Sequence, residues 1–378
     1  AARCCVVTKS PHTSPVSSAY PKASTITYSN VGGFLGPEIK FSGYDGIVIT
    51  GKASSPVFLS IEDDDVRIRD AKKYWGMGTD EFDRVIVEDL KDRRFQTACI
   101  GPAGENGVSY ASIIHTAARA AGRGGVGTVM GSKNLKAVAV KGSKQPQVAN
   151  HEKFLNLLNE LRENIKKSPR AVRYNQQGST GNLDLRSEKG QLVVRNFREG
   201  TFEHIDRIGI KEIKKNWVRS FACFCCPVAC KKSGILRSGP YAGLTHDGPE
   251  YETGTMLGSN LMITDIAGIH QAVRMADDFG IDAISLGNTI GFHMEAYNKG
   301  MIDKKFLDGI DLRWGNVDGT LKLIEKIVRK EGIGNLASEG VKALSATVGR
   351  GSEAFAMHVK GHEMAAHNVP DNPDRALS

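Results

Sequence analysis

The chain has 378 residues, 40% of them hydrophobic and 24% charged, and its 50 basic and 42 acidic residues give a formal charge of +8. This length holds roughly two or three domains with real cores, and no apolar run is long enough to cross a membrane. The basic excess is mild and dispersed, without the dense stripe and interleaved aromatics that nucleic-acid binding requires, so no nucleic-acid partner is expected.

The opening residues AARCCVVTKSPHTS lack a charged region followed by an apolar stretch and do not read as a signal peptide. They start on a strand-like run without lead-in, and the chain stops as abruptly, so both ends are expected to be cut. Short β-branched runs follow at 47–50, 57–61 and 66–69, separated by Gly, Pro or Asp turns. Residues 66–69 alternate apolar with basic side chains, as a strand with one solvated face does. Further runs at 96–100, 108–113 and 135–140 complete a β-rich unit over 1–147, closed by a linker-like 144–150.

Beyond the linker the period changes. Phe154, Leu157, Leu158, Leu161 and Ile165 recur at helical spacing on one apolar face. Residues 168–200 are polar, Gly- and Arg-rich, and show no assignable period. A helix is predicted over 265–279, with Ile266, Ile269, Val273 and Ala276 on one stripe and Gly280 as its stop. A second begins near Asp282 and a third spans 321–329. The fold class expected is α+β: the β-rich unit, a mainly helical unit over 148–356, and the start of a further one at 357–378.

Four of the seven cysteines fall within eight residues, Cys223-Phe-Cys225-Cys226-Pro-Val-Ala-Cys230. The C-x2-C-x3-C subset of Cys223, Cys226 and Cys230 supplies three soft thiolates from one loop, which suits an iron–sulfur cluster. Zinc is the main rival, but no second Cys or His pair of matching spacing is present; redox-active or idle thiols are the third possibility. An odd cysteine count, mostly in one cluster, argues against a secreted disulfide framework and for a reducing cytoplasm. Basic residues gather at 211–215 with Arg219, and at Lys231-Lys232. They read either as solvated lysines or as a rim that steers an acidic electron carrier.

Other motifs are weaker alone. Gly122, Gly124 and Gly127 form a literal G-x-G-x-x-G, yet no hydrophobic strand precedes it and no acidic residue follows about 20 positions on, so a dinucleotide fold is rejected. Glycines flanked by Arg119 and Arg123 still suit an anion such as a phosphate, or else a tight turn with exposed arginines. Asn30 with Gly32 and Gly33 offers close backbone approach, or a plain turn. Asp277 and Asp278 end a helix where the macrodipole disfavours carboxylates; they mark either a site for heterocycle N–H donors or a solvated turn. Asp282 reads as the N-cap of the next helix. Glu252, in Gly-Pro-Glu-Tyr-Glu, is a general acid or base if buried, or a surface carboxylate. His362 and His367 are five apart, so the zincin pattern fails.

Taken in order, these segments resemble the aldehyde ferredoxin oxidoreductase family of tungsten enzymes. The stretch 119–140 and the three-cysteine loop carry most of the resemblance, which covers nearly the whole chain. It implies a tungsten bis-pterin (molybdenum less so) on a β-rich N-terminal base, with Mg2+ linking the pterin phosphates, beside a 4Fe–4S cluster. By position it implies Cys223, Cys226 and Cys230 as cluster ligands and Cys225 as a bystander. Arg3 falls between pterin and cluster; Asn30, Gly32, Gly33, Arg119, Ala120 and Gly122 hold pterin and phosphate. Asp277, Ile281 and Asp282 match the family's D-x-x-G-L-D pterin motif with Ile for Leu, and Glu252 matches its active-site glutamate. The activity implied is oxidation of a small aldehyde, with electrons leaving to ferredoxin or an iron–sulfur subunit of a homo- or hetero-oligomer. A benzoyl-CoA reductase type of chemistry is the alternative, and an electron-transfer or scaffold subunit without an active site is the alternative of another class. Gln271 and Arg274 replace the Glu and His with which some members bridge subunits through a metal. A second pterin motif, a fourth cluster cysteine and an active-site histidine are not found, and an insertion over 14–24 lengthens one connection.

Overall fold

The computed structural model describes residues 3–13, 25–116 and 118–367; the insertion at 14–24 and residues 368–378 lie outside them. Two antiparallel strands, β1 (Cys4–Lys9) and β2 (Ile26–Val31), form a ribbon with Cys4 opposite Val31 and Lys9 opposite Ile26. A six-stranded sheet follows from β3 (Val57–Glu62), β4 (Asp65–Asp70), β5 (Gln96–Cys99), β6 (Ile113–His115), β7 (Arg119–Ala121) and β8 (Leu135–Lys141). Its order is β4-β3-β8-β5-β6-β7, parallel only between β3 and β8.

Strand β8, Leu-Lys-Ala-Val-Ala-Val-Lys, shows why a sheet forms here. Ala137 and Ala139 face Phe82 and Ile86 of the helix Thr79–Leu90, while Val138 and Val140 face the cluster of Val31, Leu35 and Ile113. Small residues on one face admit the helix, and β-branched residues fill the other.

Helices dominate after residue 150. Ala283–Asn298 is buried along most of its length, and with Ile266–Phe279 and Val317–Arg329 it forms the largest core of the described residues. A Cβ on Gly287 would come within 2.5 Å of the Met256 carbonyl, so glycine is what lets Tyr251–Met256 pack there. A three-stranded sheet, β9 (Trp217–Phe221), β10 (Lys231–Ile235) and β11 (Thr245–Asp247), carries the cysteine loop between its first two strands. Two short strands, β12 (His358–Val359) and β13 (His362–Glu363), pair near the end. No helix is long and apolar enough to cross a membrane among the described residues.

Several sequence expectations need correction. Residues 47–50 form no strand, and Val48 is 91% exposed. The run at 108–113 is mostly turn, with the strand beginning at Ile113. Strand β4 is an outer strand solvated on both faces, with Ile68 75% exposed. The helix His151–Lys167 forms as its period predicts, but Phe154, Leu157 and Leu161 are exposed and it buries no residue. The stretch without a period, 168–200, contains the helices Pro169–Gln177 and Asn182–Glu188.

Candidate active site

A cavity of about 580 Å³ opens where the ribbon, the edge of the six-stranded sheet, the cysteine loop and the helical core meet. Arg3, Asn30, Gly32, Arg119, Ala120 and Gly122 line it from the N-terminal side. Cys223, Cys230 and Glu252 line its middle, and Asp277, Ile281 and Asp282 its helical side. Residues as far apart in sequence as Arg3 and Ile284 thus converge on one space. Gly33 and Cys226 do not line it. Gly33, at φ 103°, sits behind the wall, where a Cβ would lie 2.5 Å from the His115 ring, and Cys226 is exposed.

The glycine segment corrects the reading of its context. A strand does precede it, β7, and the helix Val126–Ser132 follows. That strand is an antiparallel edge, pairing only with β6, so the parallel crossover of a dinucleotide fold is still missing. Gly124 and Gly125 adopt positive φ and approach Thr27 and the Ser109 carbonyl more closely than a Cβ would allow. Arg123 is not an exposed turn residue. Its Nε donates to Asp282 Oδ2 at 3.3 Å, and its Nη2 donates to the Glu363 carbonyl.

The cysteine loop is fastened to the N-terminal side. The Phe224 N–H donates to the Gly33 carbonyl at 3.1 Å, and the Phe224 ring meets Phe41 edge-on at 5.5 Å. Arg119 Nη1 donates to Cys223 Sγ at 3.3 Å, and a Cβ on Gly32 would stand 3.0 Å from the same sulfur. Cys225 takes φ 52° and points out of the cavity lining. Burial pushes the Cys230 thiol up from its ordinary pKa. Among the described residues no three His, Cys, Asp or Glu side chains converge as a metal site, so the thiols share a loop without meeting at a point. The donor chemistry still fits an iron–sulfur cluster: three thiols on one short loop, two of them on the cavity wall, with an arginine already on one sulfur.

Lys231 and Lys232 are not a solvated rim. They are 5% and 4% exposed, and Lys232 Nζ donates to the Ala229 carbonyl and Ser220 Oγ, both at 2.9 Å, bracing the loop. Lys231 lines the cavity with its Nζ 3.4 Å from Asp247 Oδ2. The pairing of Lys231 with Asp247, and the Arg123–Asp282 pair, had no signature in the sequence, because each joins segments that meet only in the fold.

The two carboxylates at the helix end separate by role. Asp278 Oδ1 accepts the Asp80 N–H at 3.1 Å, at the N-terminus of the helix Thr79–Leu90. It therefore satisfies an orphan amide and the positive end of a helix dipole, a structural duty. Asp277 instead faces the cavity, and its carboxylate makes no hydrogen bond among the described residues. Enclosing protein raises its pKa to about 7, with Lys231 opposing the shift. A carboxyl that is desolvated, unpartnered and open to a cavity fits an absent group with N–H donors, such as a pterin. Asp282 caps the next helix as expected, its Oδ1 accepting the Ile284 N–H at 3.0 Å.

Glu252 is half-buried, on the cavity wall. Its Oε2 accepts the Ala366 N–H at 2.8 Å, and its Oε1 lies 3.4 Å from His367 Nε2. Burial raises its pKa, against the Ala366 donor and Arg123. The rejected zincin stretch is consistent with its rejection: His362 and Glu363 lie on β13, and Glu363 is buried against His12.

Comparison with known proteins identifies the family. The profile described as "Aldehyde ferredoxin oxidoreductase, N-terminal domain" matches residues 1–142, and that of "domains 2 & 3" matches 156–378. The "Tungsten-containing aldehyde ferredoxin oxidoreductase" of Pyrococcus abyssi is 40% identical over 371 residues, covering 96% of this chain and 58% of that protein. The "Aliphatic sulfonate oxidoreductase, WOR-like subunit" of Pyrococcus furiosus is 36% identical, covering 94% of this chain and 59% of that one. A solved structure, the "Active site complex BamBC of Benzoyl Coenzyme A reductase in complex with 1,5 Dienoyl-CoA", superposes with a TM-score of 0.82 at 30% identity over 97% of this chain and 55% of its counterpart. The chain thus spans little more than half the length of these relatives. It belongs to the aldehyde ferredoxin oxidoreductase family.

Proposed function

With that family as premise, we propose that the protein is a tungsten–pterin oxidoreductase that oxidises an aldehyde to a carboxylic acid. The observation that supports this reading most is that a single cavity gathers the cysteine loop, the Arg119–Gly122 segment, the Asp277–Asp282 turn and Glu252. Asn30, Gly32, Arg119, Ala120, Gly122, Asp277, Ile281 and Asp282 would hold the pterin side, and Mg2+ would offset phosphate charge there. Cys223, Cys226 and Cys230 would hold the 4Fe–4S cluster, and Arg3 and Arg119 would lie between the two. When bound, the metal–pterin supplies a Lewis acid and a two-electron sink.

The chain's own residues manage protons and exit. Oxidation of an aldehyde by water yields the acid, two protons and two electrons. Glu252 Oε1 is the acceptor for a proton; the Ala366 N–H fixes the other oxygen, and burial brings its pKa toward the working range. The cysteine loop is the route by which electrons leave, one at a time, to ferredoxin or an iron–sulfur partner subunit. A second reading, reduction of an aromatic CoA thioester, draws on the benzoyl-CoA reductase likeness.

Elemental analysis of the purified holoenzyme is expected to find tungsten and iron, with dye-linked oxidation of aldehydes. Neither tungsten nor molybdenum would overturn the reading and leave an electron-transfer subunit. Turnover of benzoyl-CoA without aldehyde oxidation would select the second.

A further inference from the structure

A second cavity, about 500 Å³, shares Glu250 and Glu252 with the first. Its other walls come from the segment that shows no period in the sequence. Arg170 and Arg173 lie one turn apart on Pro169–Gln177, and Arg186 comes from Asn182–Glu188, with Lys189 just beyond it. None of these four cations forms an ion pair with a carboxylate among the described residues, although Glu250 and Glu252 border the same space.

The side chains are held by contacts with one another. Arg170 and Arg173 flank the Tyr174 ring at 5.7 and 5.4 Å, and Asn182 Nδ2 donates to the Tyr174 hydroxyl at 3.2 Å. Burial alone would raise the phenol's pKa, yet the Asn182 donor and the two guanidiniums lower it. Arg186 Nη1 donates to Gln191 Oε1 at 3.1 Å, which fixes the direction of its guanidinium. The four cations leave a positive field in a half-open cavity that Glu252 also lines, with Arg186 near enough to act on that carboxylate. Guanidiniums held this way suit the bidentate recognition of carboxylate or phosphate oxygens.

We propose that this cavity selects the substrate, and that the substrate is an aldehyde carrying an anionic group, its carbonyl toward Glu252 and its anion among Arg170, Arg173 and Arg186. The inference rests on the oxidoreductase reading above and names the substrate class for it.

The test compares succinate semialdehyde, a phosphate-bearing aldehyde of similar length, and butyraldehyde on the holoenzyme. At least one anionic aldehyde is expected to exceed butyraldehyde in kcat/KM by about ten- to a hundredfold, the size of one or two charge-assisted hydrogen bonds. Rising salt should shrink that preference. The preferred arm tells carboxylate from phosphate. In Arg170→Gln/Arg173→Gln the preference should collapse toward unity, and Arg173→Lys should restore part of it. Arg170→Gln alone, at an exposed helix position, covers the case in which the double variant fails to fold. Calorimetry with succinate against neutral succinamide gives a readout independent of turnover. Equal kcat/KM for charged and neutral aldehydes, or succinate binding unchanged in the arginine variants, would overturn the proposal while leaving aldehyde oxidation intact. Arginine-dependent succinate binding with no aldehyde oxidised would do the reverse: the anion site would stand and the oxidoreductase reading would fall.

Discussion

The two cavities that meet at Glu250 and Glu252 treat charge in opposite ways. On the cofactor side nearly every charge has a protein partner: Arg123 with Asp282, Lys231 with Asp247, Arg119 with the Cys223 sulfur. On the other side Arg170, Arg173, Arg186 and Lys189 have no carboxylate partner among the described residues. Paired charges fix positions, because each constrains the other and little net field is left. Unpaired charges around a half-open space leave a field for a ligand to neutralise. The exceptions in the first cavity are Arg3, without an ion pair or hydrogen bond among the described residues, and Asp277, a carboxyl without a donor that also faces open space.

The sharpest way to break the comparison is at the shared wall. Glu252→Gln should lower kcat by about 10²- to 10⁴-fold, the usual contribution of a positioned acid–base group. Its raised pKa sets the sign of the pH effect. As a base it works ionised, so kcat/KM should fall as pH drops through that raised pKa. The glutamine variant should lack this acidic limb. If the limb persists in Glu252→Gln, the proton travels elsewhere and the wall between the cavities is not the reacting place.

A second test asks whether the cofactor side is held as one piece. His12 Nε2 lies 2.5 Å from Glu363 Oε2, both buried, and His12 Nδ1 is 3.2 Å from Ser109 Oγ. The pair joins the segment just after β1 to β13, whose Glu363 carbonyl receives Arg123. Burial opposes charge on both groups, yet each partner outweighs it, lowering Glu363 to about 2 and raising His12. Glu363 therefore adds stability above the ordinary carboxylate pKa of about 4.3, and this is lost as pH falls from there toward about 2. His12 adds stability below its ordinary value, lost as pH rises through its raised one. Glu363→Gln should cost about 3 kcal/mol, seen as a lower Tm at neutral pH and a flatter acid dependence. Tungsten content should drop with it while succinate binding in the basic cavity holds. Loss of both would show that the cavities are not separately supported.

Legibility followed the same division. The α+β order, the cap at Asp282 and the stop at Gly280 were readable, since each depends on residues adjacent in sequence. The residues proposed for the cofactor were singled out by short motifs, and all but Gly33 and Cys226 line one cavity. The basic cavity was not readable. Its arginines sit in two short helices, of which Asn182–Glu188 packs against Tyr251–Met256 and Pro169–Gln177 packs against His151–Lys167, and scattered arginines in a polar stretch carry no period. The exposed strip of Phe154, Leu157 and Leu161 shows the converse: the helix was legible, its burial was not. Amphipathic period fixes conformation but not what covers the apolar face.

The adjacent pair Asp277 and Asp278 sharpens the comparison with the smallest expected effects. Sequence shows two carboxylates against a helix dipole and cannot divide them. In the fold, Asp278 finds the amide of Asp80, 198 positions away, and Asp277 finds only the cavity. Asp278→Ala should cost about 1 kcal/mol of stability, the worth of a helix cap, and leave tungsten content unchanged. Asp277→Asn should act the other way round. Its folded pKa of about 7 lies above the ordinary carboxylate value of 3.8, so stability is lost as pH rises from about 4 to about 7 and the cost is constant above that. Removing that charge should raise the Tm of cofactor-free protein at pH 8 more than at pH 4. It should also cut pterin and tungsten content by about tenfold, the value of one charge-assisted hydrogen bond. If Asp277→Asn retains full tungsten, this carboxyl is not a pterin acceptor, and its unpaired state belongs with the basic cavity's charges as a field for some other ligand.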